Sequence, residues 1–317
     1  MTPQYRCNFC QHQGSRTVSS GIRDWEYGVE GEYDYYECLQ CHGVQLQPFP
    51  ELPDLKRAYD IDYHGYAVGE KRGALFSILY AARQAMFRRK MSRLVDDNTR
   101  VLDVGCGQGD FLRDLQGLGV KQLVGIDFNA EVVSSLKKYG IQGFAGTFAE
   151  YESPVGSFEV IAMNNYLEHT LAPPAELAKA YQLLAAGGNL VGEVPGFDSF
   201  ERRLFGRYWG GNHVPRHTYQ FTAGFLYRQL ADAGFENIHI SHQLNTSHWA
   251  LSVQNFMQRK VSDLRHNSRI KNGRSTYYVA LLLIFIPINL LCVLLKKSGC
   301  VQFQGRKPES STGHAHD

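Results

Sequence analysis

The run VLDVGCGQGD, from Val101 to Asp110, constrains what this chain can fold into more than any other feature. Val101, Leu102 and Val104 are aliphatic strand residues, and the strand ends at an acid and a turn with three glycines. Gly105, Gly107 and Gly109 tolerate positive φ and let a ligand approach the backbone closely. A helix beginning near Phe111 then points its amide end at that ligand. The segments that follow keep alternating: QLVGID, a helix from Ala130, IQGFAG, FEVIAMN, a helix over 175–185 capped by Gly187 and Gly188, NLVGEVP, a helix over 223–233, and FENIHISHQ. That alternation predicts an α/β fold with a mostly parallel sheet and helices on both faces.

Ligands of such sheets bind beyond the carboxyl ends of the strands, where Asp103, Gly105, Gly107, Gly109, Asp127 and Asn164 fall. Asp127 ends the second strand about 20 residues past the glycines, a spacing at which a carboxylate accepts ribose hydroxyls. The spacing here is GxGxG, which fits a dinucleotide fingerprint poorly, although that reading and a plain strand-turn-helix stay open on glycines alone. Asp103, Gly105, Gly107 and Asp127 together resemble the cofactor loops of class I S-adenosylmethionine-dependent methyltransferases. The resemblance implies a seven-stranded Rossmann-like sheet and S-adenosylmethionine as cofactor, with Gly109, Phe128, Phe148 and Asn164 completing the expected contacts.

Cys7 and Cys10 form one CxxC, and Cys38 and Cys41 form another. In a reducing compartment two such pairs read as four thiolates around a structural zinc, with disulfides or a metal-free knuckle as alternatives. EYDYYECLQC feeds the second knuckle as a strand, as in a zinc ribbon. Four thiolates leave no open position, so the metal is expected to fold the module and not to catalyse. Cys106 reads as a small filler in the glycine turn.

Two segments fall where an acceptor should lie. MNNYLEHT follows the fourth core strand, and EVPGFDSFERRLFGRYWGGNHVPRHTYQFT follows the fifth. The first resembles the post-strand motif of class I methyltransferases, whose EH pair lies near the transferred methyl group. The second is similar to a signature of zinc-ribbon sugar methyltransferases, EVP followed by HEHLSYFS. His217 matches the second histidine, but Arg216 stands where the pattern has an acid. This departure weighs against carbon methylation and toward a hydroxyl acceptor, with His217 the first candidate base and His169 the second. Arg216 is expected to hold an anionic group of the substrate. Tyr59, Tyr63 and Tyr66 are candidates to cap the site or, equally, to pack the linker onto the domain.

Tyr277 to Leu295 carries no charge and is long enough to cross a bilayer as one helix. Pro287 lies near its middle, and CVQFQGRKP beyond it reads as a last strand, which returns both ends to the domain. The segment is therefore expected to be a kinked hairpin in the membrane interface, with a buried or oligomeric apolar helix and a true span as the alternatives. Arg259, Lys260, Arg265, Arg269, Lys271 and Arg274 precede it, so 259–296 reads as a peripheral membrane contact.

The expected organisation is a zinc ribbon over 1–48, a linker with cap helices over 49–97, the cofactor core over 98–243, the basic and apolar insert over 244–300, and a last strand and tail over 301–317. Thirty-three Lys and Arg against 31 acids give a net charge of +2, which argues against a nucleic-acid partner. An RNA methyltransferase using the ribbon and a non-catalytic scaffold remain the rival readings, Glu159 replacing the aspartate usual at the fourth strand's start. With no apolar leader at its N-terminus, the chain is expected in the cytoplasm at the inner membrane face. The expected substrate is a hydroxyl on a small-molecule, nucleotide-linked or lipid-linked acceptor, a sugar foremost.

Overall fold

A computed structural model describes residues 5–59, 89–260 and 276–309. Tyr63, Tyr66, most of the basic cap helix, and Arg265, Arg269, Lys271 and Arg274 lie outside the described residues. In chain order the strands are β1 (Ser15–Ile22), β2 (Tyr33–Cys38), β3 (Val44–Gln47), β4 (Arg100–Val104), β5 (Gln122–Asp127), β6 (Gln142–Ala145), β7 (Phe158–Asn164), β8 (Leu184–Pro195), β9 (Tyr219–Gln220), β10 (Glu236–His242) and β11 (Cys300–Arg306).

Seven of them form one sheet in the order β10-β11-β8-β7-β4-β5-β6. β4 pairs in parallel with both β5 and β7, so the chain reverses its direction of winding at β4 and opens a crevice at that strand's carboxyl end. The sheet is thus the expected class I fold, mostly parallel, with helices between its strands. Leu102, Val104, Ile126, Ile161, Met163 and Leu190 make its core, each at most 1% exposed. Local chemistry sets the element ends: Asn129 accepts the amides of Glu131 and Val132 to start the helix Ala130–Leu136, and Thr222 caps Ala223–Asp232 by accepting from Phe225.

Glu159 is not a worn position: its carboxylate accepts the Arg100 backbone amide at 2.8 Å and pairs with the Arg100 guanidinium, tying the starts of β4 and β7 together. Gly187 and Gly188 do not cap the preceding helix. That helix, Pro173–Leu183, passes directly into β8, and Gly187 is a positive-φ bulge inside the strand whose amide donates to the Lys307 and Pro308 carbonyls.

The last strand, β11, pairs antiparallel with β8 on one side and β10 on the other, as the sequence predicts. Between β10 and β11 lie the helices Ser247–Gln258, Thr276–Ile284 and Ile286–Leu294. The last two are bent by 40° at Phe285, with Pro287 in the first turn of the second, where its missing amide costs nothing. The segment is thus a bent pair and not a hairpin folded back on itself. No single described helix is long and apolar enough to cross a membrane. Trp249 stacks on Phe285 at 4.9 Å and docks the pair, while Ile284, Leu291, Leu294 and Leu295 remain exposed.

The N-terminal strands are joined to the core. β1, β2 and β3 form a second sheet whose fourth strand is β9, with Val44 opposite Gln220 and Gln45 opposite Tyr219. The N-terminal sheet therefore shares hydrogen bonds with the segment that carries His217.

Candidate active site

At the carboxyl end of β4, Gly105, Gly107 and Gly109 all hold φ between 48° and 73°. A side chain at Gly109 would place its Cβ 2.3 Å from Leu136, and one at Gly105 would meet the Tyr166 ring at 2.7 Å. Asp127 locks the turn: one carboxylate oxygen accepts the Gly107 amide at 3.0 Å and the other the Asn129 amide at 2.9 Å. Asp103 is 2% exposed, and burial, reinforced by the Asp127 charge, pushes its carboxyl well above the usual range. These residues make a cradle of open backbone with a carboxylate on its rim, which fits the ribose and amino acid ends of S-adenosylmethionine.

Phe128 and Asn164 lie on the same edge. Phe128 is 40% exposed, its ring centre 5.1 Å from that of Tyr59 in an edge-on arrangement, and Asn164 ends β7 partly exposed. Phe148 does not belong to this set. Its ring is 1% exposed inside the main core, because the chain after β6 turns the aromatic inward under Lys179, leaving no face for a cofactor. Cys106 packs beside Gly125, and burial raises its thiol, as a filler requires.

The loops after β7 and β8 are sewn together. The Glu168 carbonyl accepts the Thr218 amide at 2.8 Å, and the Thr218 hydroxyl donates to the Thr170 carbonyl at 2.6 Å. This stitching brings the rings of His169 and His217 to 4.5 Å, nearly perpendicular, with His213 at 5.0 Å from His217. The Gly211 carbonyl lies 2.9 Å from Nδ1 of His217, and the Tyr59 hydroxyl lies 2.7 Å from Nδ1 of His169. Burial pushes the His169 imidazole down to about 3 and the His217 imidazole well below its usual value, aided in each case by neighbouring histidines. Both rings are neutral near pH 7.

Arg216 does not hold substrate. Its side chain has no exposure and its guanidinium pairs with Asp24 at 3.1 Å, donates to the Ala58 carbonyl and covers the Tyr27 ring at 4.5 Å. The pair lies between the N-terminal segment and the His217 segment, so the departure from the resembled pattern is compensated by an acid from the N-terminal segment. Two further residues were not singled out from the sequence. Glu168 lay unassigned inside the EH pair, and Tyr35 in EYDYYEC reads only as a strand residue.

The four cysteine sulfurs lie within 4.8 Å of one another, Cys7 3.5 Å from Cys41 and Cys10 3.5 Å from Cys38, with no disulfide among the described residues. The amides of Gln40 and Gly43 point at the Cys38 and Cys41 sulfurs at 3.4 Å. Amides aimed at sulfur favour thiolates, so this donor set suits a tetrahedral thiophilic ion.

The pattern of a methyltransferase domain matches residues 79–240, just over half of the chain. The chain belongs to that family. Curated relatives of this methyltransferase include a ubiquinone biosynthesis O-methyltransferase of Nitrosococcus oceani, 34% identical over 29% of this chain and 41% of the relative. A tRNA U34 carboxymethyltransferase of Methylococcus capsulatus is 31% identical over 30% of this chain and 32% of its own length. The methyltransferase therefore spans about half the length, or less, of such relatives. Its fold matches the crystal structure of a candidate sarcosine dimethylglycine methyltransferase from Galdieria sulphuraria, TM-score 0.52 at 14% identity, over 81% of this chain and 99% of that one.

Proposed function

We propose that this methyltransferase moves the methyl group of S-adenosylmethionine to a hydroxyl of a small-molecule acceptor linked to a lipid or nucleotide, a sugar foremost. The observation that carries the reading is the neutral pair His169 and His217. They face each other at the end of the sheet that also carries the glycine cradle, and their neutral rings suit an uncharged hydroxyl. Asp103, Asp127 and the turn from Gly105 to Gly109 would hold the cofactor, with Phe128 and Asn164 beside it. When bound, S-adenosylmethionine supplies an activated methyl group on a sulfonium, so the protein's task is alignment and removal of one proton. His217, with Nδ1 tied to a carbonyl, keeps Nε2 for the acceptor; Tyr59 orients His169. The relatives described as O-methyltransferases support oxygen as the methylated atom.

We read the cysteine cluster as a structural zinc site. The exposed residues Ile284, Leu291, Leu294 and Leu295, flanked by Lys296 and Lys297, favour peripheral attachment at the inner membrane face, where a lipid-linked acceptor would be met. The test is transfer of labelled methyl from S-adenosylmethionine to polyprenyl-linked sugars, nucleotide sugars and RNA offered side by side. Label in a lipid-linked or nucleotide sugar is expected; label in RNA alone would overturn the reading.

A further inference from the structure

The Glu168 carboxylate is fully buried, and neither of its oxygens has a hydrogen-bond partner among the described residues. A carboxylate in that position needs a proton or a cation beside it. One of its oxygens and one ring nitrogen from each of His169 and His217 all lie within 4.8 Å of one another. Each imidazole has Nδ1 anchored: that of His217 lies 2.9 Å from the Gly211 carbonyl, and that of His169 lies 2.7 Å from the Tyr59 hydroxyl and 3.2 Å from the Arg216 carbonyl. Proteins hold metal-ligating histidines in this way: one nitrogen donates to a carbonyl, which fixes the tautomer and aims the other lone pair. The stitching of the two loops through Thr218 fixes the spacing of all three side chains before any ion arrives.

We infer that Glu168, His169 and His217 bind a divalent transition-metal ion at the acceptor end of the cofactor cleft. Two imidazoles and one carboxylate select manganese, iron, cobalt or zinc over calcium or magnesium, and leave coordination positions open, unlike the four thiolates of the ribbon. The open positions fit an acceptor with two adjacent oxygens, a vicinal diol or a catechol-like pair, whose reacting hydroxyl the ion acidifies. The inference rests on the hydroxyl-acceptor reading and reassigns the histidines within it, from removing a proton to holding the ion. In the transfer the hydroxyl proton goes to water. The oxygen bonds the methyl carbon as the carbon–sulfur bond breaks, leaving an ether and a neutral thioether.

Cobalt separates the two candidate sites of the full-length protein by their absorption. A nitrogen and oxygen site gives weak visible bands, whereas thiolates add intense charge-transfer absorption in the near ultraviolet. Titrating the wild type with cobalt chloride is expected to fill one site of the first kind. Glu168→Gln is expected to weaken its uptake tenfold or more, and Glu168→Ala with His217→Ala to abolish it, with the thiolate absorption intact as evidence that the ribbon has folded. Elemental analysis after dialysis against manganese should count one ion more in the wild type than in the double variant. A wild type that binds S-adenosylmethionine by calorimetry, yet takes up no cobalt outside the thiolates and no more manganese than the double variant, overturns the inference. Wild-type protein that fails to bind S-adenosylmethionine strikes the methyltransferase reading instead, and the cobalt spectrum then decides the metal site independently.

Discussion

The Tyr35 hydroxyl lies 2.8 Å from the backbone carbonyl of His217 and donates to it, so a ribbon residue holds the peptide unit of a candidate active-site residue. Tyr35 is fully buried, also reaches the Asn212 carbonyl at 2.9 Å, and accepts from Gln220 at 3.0 Å. The N-terminal strands therefore support the segment that carries His217.

Removing this hydroxyl leaves the ring in place and takes away the one donor shared by two buried carbonyls. Tyr35→Phe should cost about 1–3 kcal/mol of stability. It should also lower turnover more than it changes S-adenosylmethionine affinity, because the hydroxyl's bonds run to Asn212, His217 and Gln220. Thermal melts with calorimetric cofactor titration check both; an equal loss of cofactor binding would refute the division of labour.

The geometry of the glycine turn was legible in the sequence because its signals are local. Glycines that need positive φ and a carboxylate at a strand end announce themselves within a few residues, and Gly105, Gly107, Gly109 and Asp127 are found as expected. The surroundings of His169 and His217 depend on pairs far apart in the chain. Nothing in the neighbourhood of Arg216 signals that Asp24 neutralises it, and nothing near Val44 signals that it pairs with Gln220. Phe148 went astray for the opposite reason: a local resemblance placed it at the cofactor, while its ring is buried in the main core under Lys179.

Asp24 and Arg216 form a pair with side-chain exposures of 1% and 0%. Breaking such a pair strands one buried charge, at a cost of roughly 3–5 kcal/mol. Asp24→Ala should therefore melt well below the wild type, and Asp24→Ala with Arg216→Met should recover part of the loss. An Arg216→Met variant that stays stable but shows a raised KM for the acceptor would restore the anion-holding role.

If the four cysteines hold a structural ion, its loss should reach the acceptor site through β3 and β9. Cys38→Ser is expected to lower bound zinc, melting temperature and turnover together, with S-adenosylmethionine affinity held within about twofold. Zinc content unchanged in this variant would remove Cys38 from the ligand set.

Asp127 makes two charge-assisted hydrogen bonds to backbone amides and stands where ribose hydroxyls are expected. Asp127→Asn can accept through only one oxygen, so one of those amides loses its partner. The expected loss of cofactor affinity is about 10- to 100-fold, corresponding to roughly 1.5–3 kcal/mol. Calorimetry reads this directly, and an unchanged affinity would move the cofactor away from this rim.

Glu201 supplies a pH test of the packing under the apolar helices. Burial pushes its carboxyl up to about 7 from 4.5, against weaker opposition from backbone amides of its own residue and Gly299. A folded-state value above the unfolded one means that the native protein holds its proton more tightly. The resulting stability is fully present below about pH 4.5 and is lost as pH rises toward 7. Glu201→Gln cannot ionise, so at pH 8 it should be more stable than the wild type by about 1–3 kcal/mol, with the gap closing by pH 5. Denaturant melts at the two pH values measure the gap. Asp103 shifts in the same direction and is common to both proteins, so it cancels from the difference. A gap of equal size at both pH values would show that the substitution acts through packing and not through the charge.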